Sequence, residues 1–153
     1  MSDLIETLKR EGKLRDQTVG FIQIEGLLVD AMRDILEAKA VIHIGERACF
    51  ILAYQAMLKA GRSFLFLNQL RPADGAQHVT VIQVCEFLLG PSFKTLAEQF
   101  ESMRRIRNRI TYEYGTLLSH SEVERALNDA EEWIRAIAKK VKDQNPQFEL
   151  PFG

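Results

Sequence analysis

The chain is poor in the residues that staple, break or metallate a fold. Its 153 residues include two cysteines, four prolines and three histidines. Cys49 and Cys85 lie far apart, which suits two small buried apolar side chains in a reduced, cytoplasmic setting rather than a disulfide scaffold. His43, His78 and His120 are widely separated, and no His/Cys/carboxylate spacing matches a zinc site, so no metal and no other cofactor is expected. There is no phosphate-binding glycine loop and no nucleophile elbow. No apolar run reaches the roughly 18 residues that a membrane span needs. The opening Met1–Glu6 carries acid early and lacks a secretory-leader pattern. Neither sign of charge dominates: 20 basic residues meet 21 acidic ones, for a net charge of -1. That balance argues against a general polyanion binder and leaves room for a local basic patch.

What the chain has is helix. Hydrophobic residues make up 46%, enough for one domain with a core of its own. Leu4, Ile5 and Leu8 predict a short helix from Asp3 to Gly12, with a basic cluster of Lys9, Arg10, Lys13 and Arg15 at its end. Phe21, Ile24, Leu28, Ala31 and Ile35 recur at three- and four-residue steps and predict a long helix from Thr18 to Ala40. Gly26 within it offers a point of close packing. A second long helix is expected from Glu46 to Leu67, with Gly61 and Ser63 placed to bend it and Phe64–Leu67 apolar all round. Asn68–Gly75 reads as a loop. Further helices are expected over Ala76–Leu89, over Phe93–Gly115 with Ser92 as its cap, and over about Ser121–Lys142, the last begun by His120 or Ser121 and with Trp133 at its edge. Val81 and Val84 favour strand locally, but no strand neighbours flank them. The expected fold class is all-α, an antiparallel up-and-down bundle of four to five helices, with one domain over residues 1–145 and a tail over 146–153.

The most informative stretch is Met103–Gly115, where four arginines fall within six residues (Arg104, Arg105, Arg107 and Arg109). With Arg107 as angular origin at about 100° per residue, Phe100, Met103, Ile110 and Tyr114 fall within about 60° of it. Arg104, Asn108 and Tyr112 occupy one flank, and Arg105 and Arg109 point away. Arg107 therefore lies inside the apolar stripe. An arginine there needs a carboxylate, carbonyl or phosphate partner.

The run Arg107-Asn108-Arg109-Ile110-Thr111-Tyr112-Glu113-Tyr114 resembles the signature of the HEPN superfamily, the "higher eukaryotes and prokaryotes nucleotide-binding" domain. That signature has an arginine, usually a polar residue such as asparagine, three further residues, a histidine, one residue and a tyrosine. Arg107, Asn108 and Tyr114 match; Tyr112 occupies the histidine position. The resemblance implies an antiparallel helical bundle, often a homodimer, with the motif facing a shared cleft. Many members are metal-independent ribonucleases of toxin–antitoxin or defence systems, and others are non-catalytic RNA-binding or protein-interaction domains. In the ribonuclease members the arginine and histidine act near the scissile phosphate.

Tyr112 changes what this motif can do. A phenol has a reference pKa of about 10 and is a poor general base near neutral pH. It can instead donate a hydrogen bond or stack on a base. The expected ligand contacts are Arg104, Arg107, Asn108, Tyr112 and Tyr114. The expected role is an RNA- or nucleotide-binding or partner-scaffolding domain, dimeric, with weak or no cleavage. The competing expectation is an active endoribonuclease toxin using Arg107 and Tyr112, with a nucleotidyltransferase-like antitoxin as the partner that the resemblance implies. His78, near a helix start, is the one other imidazole that can approach the cleft. The tail carries Gln147, Phe148, Leu150 and Phe152. It either folds back on the bundle or docks into a protein partner, and its order loosely resembles the bacterial sliding-clamp-binding peptide.

Overall fold

A computed structural model describes residues 3–73 and 77–151. Within that span the chain forms α1 (Asp3–Arg10), β1 (Leu14–Asp16), α2 (Phe21–Val41), α3 (Glu46–Leu67), β2 (Leu70–Pro72), α4 (Gln77–Leu89), a 3-10 turn (Pro91–Phe93), α5 (Lys94–Tyr112) and α6 (His120–Gln144). The all-α reading holds. The long helix expected from Glu46 to Leu67 has those bounds and runs unbroken through Gly61 and Ser63.

α3 is the central rod. It packs most extensively on α2 and α6, and it carries α4 and α5 on its remaining side. Its small residues Ala53, Ala56, Ala60 and Gly61 are all buried, which lets neighbouring helices approach. At Gly61 the approach is extreme: a Cβ there would lie 2.7 Å from Val81 Cγ1 of α4. Gly26, the glycine expected to allow close packing, has nothing within 4 Å of such a Cβ. Cys85 is buried and its thiol meets the Gly61 carbonyl at 3.5 Å. Burial raises both cysteine thiols above their ordinary pKa, so they stay protonated apolar groups.

Trp133 is fully buried rather than at an edge. Its indole donates to the Met57 carbonyl at 3.1 Å, and Phe100 meets it edge-on with ring centroids 5.2 Å apart. The hydrogen bond satisfies the one polar atom of the ring, so the rest can enter the core. Polar pins join α2 to α3. Ser63 Oγ donates to the Ile24 carbonyl at 2.8 Å, and Lys59 pairs with Asp34 at 2.9 Å.

Part of the expected loop after α3 is paired. β1 and β2 form an antiparallel ribbon with Leu14 opposite Pro72, Arg15 opposite Arg71 and Asp16 opposite Leu70. Strands of three residues are too short to show an alternating pattern in sequence. Two members of the basic cluster are paired: Lys9 with Asp16 at 2.8 Å and Lys13 with Glu11 at 3.4 Å.

Several helix ends differ from expectation. α5 stops at Tyr112, with Glu113 extended (φ -124°, ψ 159°), rather than at Gly115. α6 begins at His120, one of its two expected starts, and is capped by Ser119. The Glu122 amide donates to Ser119 Oγ at 3.1 Å, and the Ser119 amide donates to Glu122 Oε1 at 3.0 Å. Ser92 does not cap α5; Phe93 holds that position without a side-chain bond. Among the described residues, no helix is long and apolar enough to cross a membrane.

Candidate functional site

α5 carries Arg107 on the face that its apolar residues define. Phe100 and Met103 are buried, Ile106, Arg107 and Ile110 are half-buried, and Arg105 and Arg109 are exposed, as the angular arithmetic requires. Leu117 is beyond the helix and 90% exposed.

The four α5 arginines are not equivalent. Arg104 Nε and Nη2 each donate to Glu101 at 2.8 Å, a two-pronged pair one turn back along the helix. Arg105 shares the same carboxylate at 3.0 Å. The bond from Arg104 is the largest of the influences that hold the Glu101 carboxyl below its usual range. Arg107 differs. Its Nη1 reaches Asn108 Oδ1 at 3.5 Å, a long bond to the adjacent residue, and it forms no ion pair among the described residues. Asn108 is itself half-buried, so it can orient the guanidinium without cancelling its charge.

The tyrosines lie apart from this face. Tyr112, the last residue of α5, is 80% exposed, and Tyr114 is 99% exposed in the connection to α6. The expected alignment of Tyr114 with Arg107 therefore fails, because the helical phase does not extend beyond Tyr112. Both rings remain open to solvent at the end of the arginine helix.

A pair that no sequence motif links lies against the same helix. Tyr54 of α3 is buried, and its hydroxyl is 2.8 Å from Nδ1 of His78 in the first turn of α4. Tyr54 also meets Phe100 edge-on, with centroids 5.6 Å apart. Phe100 is one turn before Arg104 and two turns before Arg107 on α5, so the Tyr54–His78 pair faces the inner arginines. Burial lowers the His78 pKa, and Arg107, Arg104 and Arg62 lower it further. The imidazole is thus neutral at pH 7, with one ring nitrogen engaged by Tyr54. His78 was legible as a candidate from its place at a helix start. Tyr54 was not, since no local pattern links residues 24 apart in sequence.

A HEPN-domain family model matches residues 24–141, which include all of α5. The chain belongs to the HEPN family. No curated protein matches it. The HEPN match spans most of α2 through the buried part of α6, so the arginine helix and the Tyr54–His78 pair both lie inside the matched domain.

The tail lies outside the match and packs on the bundle. Phe148 is 7% exposed and belongs to the core, Leu150 is half-buried, and Lys142 pairs with Glu149 at 2.7 Å. Gln147 is exposed. Phe152, the fourth residue expected in a docking tail, is outside the described residues. With Phe148 held in its own core, the tail does not present that ring to a partner in this arrangement.

Proposed function

We propose that this HEPN domain works as a homodimer that engages RNA or a nucleotide, or holds a protein partner, with little or no cleavage. The observation that carries the reading is Arg107: a half-buried guanidinium bonded only to its neighbour Asn108. A half-buried cation with no countercharge among the described residues is a site for a phosphate oxygen. Asn108 orients Arg107 or meets a sugar hydroxyl, and the open rings of Tyr112 and Tyr114 stack or donate. Tyr112 stands where many family members carry an imidazole, and a phenol is a weak proton acceptor at neutral pH. Fluorescence anisotropy with labelled RNA tests the reading. Binding should weaken as salt rises and be abolished in Arg107→Ala. Equal binding by parent and variant would remove Arg107 as a phosphate ligand.

One observation favours a second reading, a metal-independent endoribonuclease of a toxin–antitoxin or defence pair with a nucleotidyltransferase-like antitoxin. The neutral His78 imidazole lies on the Arg107 face and is oriented by Tyr54. In that reading His78 accepts the proton of a 2′-hydroxyl, whose oxygen attacks the adjacent phosphorus. The 5′-oxygen leaves and takes a proton, giving a 2′,3′-cyclic phosphate and a 5′-hydroxyl end. RNA cut by the parent chain and intact with His78→Gln would favour this reading. RNA left intact by both would return the domain to the binding role.

A further inference from the structure

The β1–β2 ribbon and the groove behind it hold charges that neither the fold nor the Arg107 face uses. Arg15 and Arg71 are direct cross-strand partners. Leu14, Leu70 and Pro72 are buried, so the two exposed arginines project together from the outer face of the ribbon. Like charges directly opposite each other repel. Two acids of the segment around Arg15 are engaged elsewhere, Asp16 with Lys9 and Glu11 with Lys13. Among the described residues neither arginine forms an ion pair. The ribbon also holds its register. Gln17 donates to the Gln69 carbonyl at 2.9 Å, Ala73 to the Lys13 carbonyl at 3.0 Å, and the Val19 amide to Gln69 Oε1 at 3.3 Å.

Beside Arg71 is an open groove of about 330 Å³, lined by Arg62, Arg71, Gln17, Gln23 and Gln77, with Phe66 on one wall. Two guanidiniums and three amides line it, and no carboxylate does among the described residues. Gln77, which lines the groove, is the first residue of α4. The next residue, His78, lies in the field of Arg62 as well as that of Arg104 and Arg107. Gln77 of the groove adjoins His78, which Tyr54 links to Phe100 of α5, so the groove and the arginine helix flank the start of α4.

We propose that the groove lined by Arg62 and Arg71, with Arg15 on the ribbon beside Arg71, is a second phosphate-binding site, which takes the backbone of a single-stranded RNA whose neighbouring segment lies on Arg107. An open rim with arginines on two elements suits charges repeated along a chain better than the single phosphate group of a mononucleotide. Amide side chains in the lining add hydrogen bonds that are tolerant of sequence. The inference rests on the reading that the domain engages RNA.

The test uses the full chain and a labelled single-stranded RNA, with affinity measured over a series of salt concentrations. Arg62→Gln/Arg71→Gln should weaken binding and reduce the slope of log affinity against log salt by about 0.7 for each phosphate no longer neutralised. Arg15→Gln should weaken it further while raising the melting temperature, because it relieves the cross-strand repulsion. An unchanged slope in the double variant, with Arg107→Ala still defective, overturns the groove and leaves the Arg107 reading intact. No binding of RNA by the parent chain overturns both. Adenosine monophosphate bound through Arg62 and Arg71, with no gain in affinity as the RNA is lengthened, overturns the polymer assignment.

Discussion

Arg104 and Arg107 are one turn apart on α5, yet their surroundings differ. Glu101 holds Arg104 from two sides and shares itself with Arg105, whereas Arg107 has only Asn108. Under the proposed function, Glu101→Gln should release two guanidiniums and raise RNA affinity, opposite in sign to Arg107→Ala; anisotropy on both variants checks the pair. His78 supplies a pH signature. Its unfolded-state pKa is near the ordinary 6.5, and burial followed by Arg107, Arg104 and Arg62 lowers it in the fold. Below pH 6.5 the unfolded chain therefore takes up a proton that the folded chain resists, and stability falls as pH drops through that window. His78→Gln should flatten this acid-side loss, as measured by urea denaturation above and below that pH.

At the scale of elements, glycine shows how packing overrides propensity. Gly26 and Gly61 both lie inside long helices, where alanine is intrinsically better by about 1 kcal/mol. At Gly26 the space is open, so Gly26→Ala should stabilise by about that amount. At Gly61 the new methyl would meet Val81 Cγ1 at 2.7 Å. Overpacking costs about 1–3 kcal/mol and exceeds the propensity gain. Gly61→Ala should therefore lower the urea midpoint, and Val81→Ala in that background should recover part of it. The α6 capping box is a third case: Ser119→Ala removes the acceptor for the Glu122 amide and should cost about 1 kcal/mol. α5 ends early because no residue after Ile110 is buried there. Tyr112 and Tyr114 are exposed, and Thr111 Oγ1 bonds back to the Arg107 carbonyl at 3.0 Å.

At the scale of the whole molecule, the terminal segment is part of the bundle. Phe148 packs into the core, and the Asn145 side chain bonds to Glu25 of α2 across 120 positions of sequence. Phe148→Ala should destabilise the domain by about 3 kcal/mol, the lower end for a buried phenylalanine because a chain end can readjust. Thermal melting checks it, and an unchanged midpoint would detach the tail from the fold. The sequence by itself determined the helical class, the bounds of α3, the apolar face of α5 and the place of Arg107 within it. Each depends on local periodicity, which 3.6 residues per turn converts directly into a face. The HEPN signature was likewise legible, being a run of neighbouring residues. Only the tertiary structure decided that Tyr54 holds His78 against α5, that Arg15 faces Arg71 and that Trp133 is central. Those facts depend on which helices become neighbours, and pairings between residues distant in sequence leave no periodic trace along the chain.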